Sequence, residues 1–284
     1  MHILHLSDLH IGGSDSLSGD SNKSSACTLR CETVINNIIA GCKPVSDYAV
    51  VITGDITDGG TVFSSGGIKK QYADAAALLK KLHKARFVVL PVPGNHDYGS
   101  MGVHPKKKYG KLFREMLLDN YQGAYPILGK AKNPGLIKKI AFIGLDSMEA
   151  AITRDYYYGA QGKIGDPQLK RLKALLDTDK VKRADARVIY LHHHPFSPEP
   201  NMELHDAAEL QAAIKGKNVD ILLFGHNHNG WKWNGWWDIT RCYDAGTSTR
   251  KGGSAGYHRI MDPAKDHSTD YDGDFLGNLK SFVV

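Results

Sequence analysis

Tyr48-Ala49-Val50-Val51-Ile52-Thr53-Gly54-Asp55-Ile56-Thr57-Asp58 carries the pattern from which the fold can be read. Its first six residues are rich in the β-branched and aromatic side chains of a strand, Gly54 breaks the run, and Asp55 and Asp58 follow at once. The same succession recurs on both sides. Upstream, residues 2–6 precede Asp8 and His10. Downstream, 86–90 precede Asn95, His96 and Asp97, 187–191 precede His192, His193 and His194, and 219–224 precede His226 and His228. Helical patterns lie between the strands at 29–41, 70–83, 107–119, 167–177 and 203–215, the fourth opened by Asp166-Pro167 as N-cap and first helical residue. This alternation predicts an α/β fold with its ligands at the carboxyl ends of the strands.

An extended stretch at 136–146 and successive antiparallel strands over 230–262, carrying Trp231, Trp233, Trp236 and Trp237, complete the pattern. Residues 263–284 are polar and weakly patterned, and are expected to form a wrapped or partly mobile tail. Segments 12–26 and 59–68, rich in Gly and Ser, together with 98–110, are candidate substrate-facing loops. With 284 residues and 42% hydrophobic content, one domain over 1–284 can bury its own core. No apolar run approaches the ~18 residues of a membrane span. The chain opens directly into a strand without a leader pattern, from which a cytoplasmic protein is expected. Cys27, Cys31, Cys42 and Cys242 lack the spacing of a zinc ribbon and are expected to be free thiols. The formal charge is +6, and Lys106, Lys107 and Lys108, followed by Lys111, form the only tight basic run. That run reads as a solvated face or as an attraction for an anionic substrate, and is too small for a nucleic-acid surface.

In an extended segment, residues two apart point to the same side, so Asp8 with His10, and His226 with His228, can each offer two ligands to one point. Mixed carboxylate, imidazole and amide donors suit Mn, Fe, Zn, Co or Ni better than the all-oxygen sites preferred by Mg or Ca. Singly, each cluster has an ordinary structural reading: Asp58 precedes Gly59 and Asp97 stands two before Gly99, both positions of turn caps. Five clusters, each behind a strand, point together to a metal site.

Asp8-Leu9-His10, Gly54-Asp55-Ile56-Thr57-Asp58, Gly94-Asn95-His96-Asp97, His193-His194-Pro195 and Gly225-His226-Asn227-His228 resemble, in order and spacing, the five signature motifs of calcineurin-like metallophosphoesterases. The resemblance covers residues 8–228. It implies a four-layer α-β-β-α sandwich of two mixed β-sheets flanked by helices, with a centre of two transition-metal ions at its edge. Asp8, His10 and His228 would bind the first ion, Asn95, His193 and His226 the second, and Asp55 would bridge them. The family's ligand stands two residues before a proline, which selects His193 over His192. His96 looks like the family's non-ligand histidine beside the scissile phosphate, and Asp58 like the carboxylate that orients it. Asp97 keeps its turn-capping role. The implied reaction is hydrolysis of a phosphate ester by a metal-activated water or hydroxide.

Within the family, Asp58 stands where purple acid phosphatases have a metal-bound tyrosine, and Gly59-Gly60 and Asp97 stand where protein serine/threonine phosphatases have Arg-Gly and Glu. The chain looks more like the small bacterial-type class III phosphodiesterases that act on cyclic nucleotides and glycerophosphodiesters. A small-molecule phosphodiester is the expected substrate, with a phosphomonoesterase, a nuclease and a non-catalytic scaffold as alternatives. A nuclease calls for a continuous basic surface and a scaffold for lost ligands, and the sequence displays neither. The alternation of Trp231 and Trp233 reads first as hairpin packing, with base stacking or a dimer contact as the other readings. The oligomeric state stays open, a homodimer included.

Overall fold

The chain runs β1 (His2–Leu6), α1 (Ala26–Gly41), β2 (Tyr48–Thr53), α2 (Gly67–Lys84), β3 (Val88–Val92), α3 (Lys107–Leu117), β4 (Ile127–Lys130), β5 (Asn133–Pro134) and β6 (Ile140–Gly144). It continues through α4 (Asp166–Leu176), α5 (Asp179–Lys182), β7 (Ala186–Tyr190), α6 (Ala207–Ile214), β8 (Ile221–Phe224), β9 (Arg241–Asp244), β10 (His258–Met261) and β11 (Tyr271–Gly273). This computed structural model describes residues 1–13, 26–59, 67–99, 105–152, 160–249, 258–263, 270–273 and 275–276. Two mixed sheets result, ordered β11-β10-β1-β2-β3 and β5-β4-β6-β7-β8-β9, flanked by helices in a four-layer sandwich. β1, β2 and β3 are parallel, as are β6 to β9, so each sheet brings the carboxyl ends of its central strands to one edge.

The period of two sorts the second sheet's side chains between two cores. Ile140, Phe142, Val188, Tyr190, Ile221 and Leu223 join the core shared with the first sheet. Their neighbours Ala141, Ile143, Ile189, Leu191, Leu222 and Phe224 pack with Leu169 and Leu172 of α4 and Leu210 of α6. Strands buried on both faces read as continuous apolar runs, which is why β1 and β2 are plain in the sequence. β3 begins two residues later than expected and includes Pro91. Proline cannot donate to a ladder, and it is accepted here because β3 is an edge strand.

The segment 230–262 departs from its expectation. β9 lies parallel to β8, and the tryptophan stretch makes a single antiparallel bridge, Lys232 to Tyr243, before a 3-10 turn at Trp236–Asp238. Gly230, Gly235, Trp237 and Asp238 all have positive φ, which breaks any extended run. β10 does pair antiparallel, with β1. Part of the expected tail adds β11 to the first sheet and buries Phe275, while 264–269, 274 and 277–284 lie outside the described residues. The candidate loops at 12–26, 59–68 and 98–110 fall partly outside them too.

All four cysteines are free and buried. Burial pushes the Cys31 thiol up to about 12. Lys106, Lys107, Lys108 and Lys111 are exposed, as a solvated face requires. No helix among the described residues is long and apolar enough to cross a membrane.

Phe142 is fully buried between the sheets. Phe142→Ala is expected to lower the unfolding free energy by about 3–5 kcal/mol in urea titration without altering the denaturant slope.

Candidate metal centre

The polar clusters meet where the two sets of parallel strands end. Hydrogen bonds from Asp8 N to Gly54 O (3.1 Å) and His10 N to Asp55 O (2.9 Å) carry the β1–β2 pairing into the loops, and Gly225 N to His192 O (3.0 Å) does the same for β7 and β8. The ligand-type residues do not stay extended. Asp8, His10, Asp55, His226 and His228 have φ of 52°, 46°, 48°, 79° and 58°. The pairs two apart therefore converge because their backbones turn left-handed, and not by the pleat expected from the sequence. Each such residue costs on the order of 1–3 kcal/mol, a strain that collects at functional sites. Close approach adds a demand for glycine: a Cβ on Gly94 would collide with the Asp55 carboxylate, and one on Gly225 with the Ser7 hydroxyl.

Two sets of acceptor atoms result. In the first, His228 Nε2 lies 3.1 Å from Asp8 Oδ1 and 3.2 Å from His10 Nε2. The other Asp8 oxygen is taken by the Ser7 hydroxyl (2.5 Å) and the His226 amide (3.1 Å), which aims Oδ1 at the two rings. In the second, His192 Nε2 lies 3.0 Å from Asn95 Oδ1, 3.0 Å from His226 Nδ1 and 3.4 Å from Asp55 Oδ2. Nδ1 of His192 is 2.7 Å from Thr53 O, which can only accept, so that nitrogen carries the proton and Nε2 presents its lone pair. Asp55 belongs to two groups, one with Asp8 and His192 and one with His10 and His96, the ligand atoms of each group lying within 4.8 Å of one another.

Lone pairs packed this closely and buried repel unless a cation stands among them. Burial opposes ionisation of Asp55, yet the His192, His96 and His10 imidazoles outweigh it and hold the carboxyl well below its usual range. Burial likewise opposes charge on His192, but Asp55 and Asp8 push that ring up to about 9. The donor set suits a transition metal, and the residues fit a pair of such ions.

A sequence model of the calcineurin-like phosphoesterases matches residues 1–230. The chain belongs to that family. Calcineurin-like phosphoesterases are hydrolases that use divalent metal ions, and the His/Asp cluster is a site that could hold them. A probable cyclic nucleotide phosphodiesterase of Rhodococcus erythropolis is 29% identical over 234 residues, 80% of this chain. The match spans 64% of that protein's length. TT1561 of Thermus thermophilus shares the fold with a TM-score of 0.55 at 13% identity, over 96% of this chain and 98% of that one. The phosphopantetheinyl hydrolase PptH of Mycobacterium tuberculosis does so with a TM-score of 0.52 at 15% identity, over 93% and 97%.

Three positions in this phosphoesterase add detail to the sequence reading. His193, expected among the ligands, lies in a buried group with His192 and His226 whose ligand atoms are within 4.8 Å of one another, while its Nδ1 meets the Ser147 hydroxyl (2.7 Å) and its Nε2 the Ala160 carbonyl (3.1 Å). His192 has the nitrogen that faces Asp55, Asn95 and His226. Asp58 was expected to orient His96 through its carboxylate. His96 Nδ1 instead donates to the Asp58 backbone carbonyl (2.8 Å), and the carboxylate stands 3.4 Å from His10 Nδ1, where it can fix that ring's tautomer. Asp97 caps more than its own turn: its carboxylate accepts from the amides of Gly94, Ile56 and Thr57 and from the Thr57 hydroxyl. It binds the second motif loop to the third. The proline spacing of the run favours His193, whereas the orientation of the two rings depends on Thr53, Ser147 and Ala160, all distant in sequence. His194 is structural. Its Nδ1 accepts from the Phe196 amide (3.0 Å), its ring packs on Phe224 and Trp233, and burial holds it down to about 3.

His192→Ala is expected to lose about one equivalent of bound metal per chain, whereas His193→Ala keeps its full complement. Elemental analysis of the two reconstituted variants reads the difference, and equal losses would return the ligand role to His193.

Proposed function

We propose that this chain is a two-ion hydrolase of small-molecule phosphodiesters. The observation that carries the reading is the pair of adjacent acceptor sets joined by the Asp55 carboxylate. Asp8, His10 and His228 would hold one ion, Asn95, His226 and His192 the other, with His192 in the role first expected of His193, and Asp55 would serve both. When bound, such ions supply Lewis acidity toward phosphoryl oxygens and lower the pKa of a water. The diester preference is supported by the likeness to the Rhodococcus erythropolis protein, a probable cyclic nucleotide phosphodiesterase. One domain over 1–284 accords with a core that draws side chains from both sheets.

His96 is the group best placed to handle a proton. Its amide donates to Asp55 Oδ1 (2.9 Å) and its Nδ1 to the Asp58 carbonyl, so the ring is held at both ends. Nε2 lies 3.8 Å from Asp55 Oδ2, in a side chain that is 14% exposed. A proton on that nitrogen can stabilise charge on a phosphate oxygen or pass to the departing alkoxide. Asp58 acts on both histidines, through its carbonyl on His96 and its carboxylate on His10.

The test is hydrolysis of bis(p-nitrophenyl) phosphate beside p-nitrophenyl phosphate by metal-stripped protein reconstituted with Mn, Fe, Co, Ni or Zn. Metal-dependent turnover favouring the diester is expected. Preference for the monoester would make the chain a phosphatase, and no turnover with any metal would make it a scaffold. Asp55→Ala is expected to abolish activity and metal binding together. His96→Ala is expected to retain its metal and lose ~10²- to 10⁴-fold in kcat. A His96 variant that loses metal would make His96 a ligand.

A further inference from the structure

Asn95 has to reach from one sheet to the other. It follows β3 of the first sheet, yet its Oδ1 meets His192 and shares an acceptor set with His226, both carried by loops of the second sheet. The 3-10 turn His96–Tyr98 that comes next is closed by Tyr98 N donating to Asn95 O (3.1 Å) and Gly99 N donating to His96 O (2.9 Å). Toward the first sheet this turn is tied down by the Asp97 carboxylate, and the Tyr72 hydroxyl of α2 donates to Asp97 O (2.6 Å).

Toward the second sheet a different side chain holds it. The Tyr98 hydroxyl donates to Oδ2 of Asp146 (2.7 Å), two residues beyond the end of β6, and both residues are buried. Burial and the neighbouring carboxylate push the Tyr98 hydroxyl well above its usual range, so it remains a donor. Asp146 is itself fixed. Its Oδ1 accepts from the Met148 amide (2.9 Å). The buried Gln168 side chain of α4 accepts from Asp146 N and donates to Asp146 O, each at 2.9 Å. A helix packed on the second sheet thus reaches, through Gln168, Asp146 and Tyr98, the turn next to Asn95.

α3 leaves room for this arrangement. Gly110 is buried in the middle of that helix, where glycine is less favourable than alanine. Its φ is not positive, so space alone calls for glycine there. A Cβ at this position would collide with the Tyr98 ring and its hydroxyl oxygen.

We propose that Tyr98 and Asp146 form a cross-sheet brace that positions Asn95 as a ligand of the second ion, with Gly110 leaving the space the brace needs. This rests on the two-ion reading and adds positioning residues to its site.

Metal binding at equilibrium tests the brace without turnover. Metal-stripped full chain is titrated calorimetrically with Mn²⁺, and the same variants are unfolded in urea. Tyr98→Phe keeps the ring and removes only the hydroxyl. It is expected to weaken one of the two ions about 10- to 100-fold and to leave the other unchanged, the range found for groups that stand behind a metal ligand. Adding Tyr98→Phe to Asn95→Ala, or Asp146→Asn to Tyr98→Phe, is expected to have no further effect on that ion, because members of one unit are not additive. Gly110→Ala reads the brace independently: helix propensity alone would make it stabilising, whereas the brace requires the same one-ion loss as Tyr98→Phe. Unchanged affinities in Tyr98→Phe overturn the proposal, as does a further loss when it is added to Asn95→Ala. Equal weakening of both ions together with a lowered unfolding free energy overturns it in favour of a merely structural role. Turnover of bis(p-nitrophenyl) phosphate, measured in parallel, separates the two ideas. No turnover by the wild type with the one-ion effect intact would sink the hydrolase reading and leave the brace standing, and normal turnover with unchanged affinities in Tyr98→Phe would do the reverse.

Discussion

The carbonyl oxygen of Thr53, at the carboxyl end of β2, accepts from His192 Nδ1 at 2.7 Å, and the Ser7 hydroxyl stands 3.1 Å from it. Through this one atom the second sheet's histidine acquires its tautomer, and the residue beside Asp8 is held in place. The Thr53 hydroxyl meets the buried His5 ring at 2.9 Å and donates to Leu6 O. A single position thus links β1, β2 and the loop after β7. If it shifted, His192 Nε2 would leave the point where Asp55, Asn95 and His226 meet, and the second acceptor set would dissolve. Site and sheet packing are for this reason one structure.

Carboxylates play two opposed parts around that link. Asp97 is surrounded by donors, three amides and a hydroxyl, so its charge is spent on holding two loops together. Asp8 and Asp55 each give one oxygen to such a donor and turn the other toward imidazoles. The division of labour within one carboxylate makes these groups available as ligands: an oxygen fully engaged with N–H groups orients its partner oxygen and leaves it with lone pairs to share.

Much of this was legible in the chain. β1 and β2 lie where their apolar runs predicted, and the five polar clusters meet at strand ends because parallel strands leave them no other place. Details decided by distant backbone were not legible. Period two suggested strands for Trp231 and Trp233, yet the left-handed turns at Gly235, Trp237 and Asp238 override it. The same kind of turn, at Asp8, His10, His226 and His228, performs what the pleat was expected to do. The sequence shows that Asp58 and His96 are neighbours in the site. It does not say that a carbonyl rather than a carboxylate makes the contact, because every residue carries a carbonyl and no pattern marks the one that is used.

Pro91 has a consequence beyond its tolerance on an edge strand. β3 ends the first sheet, and β5, which ends the second, contains Pro134. A strand from a neighbouring molecule that tried to extend either sheet would meet a residue with no amide hydrogen to offer. Recruitment of further chains along these borders, the route by which exposed sheets seed fibrils, is interrupted on one side of each sheet by the covalent chemistry of a single ring.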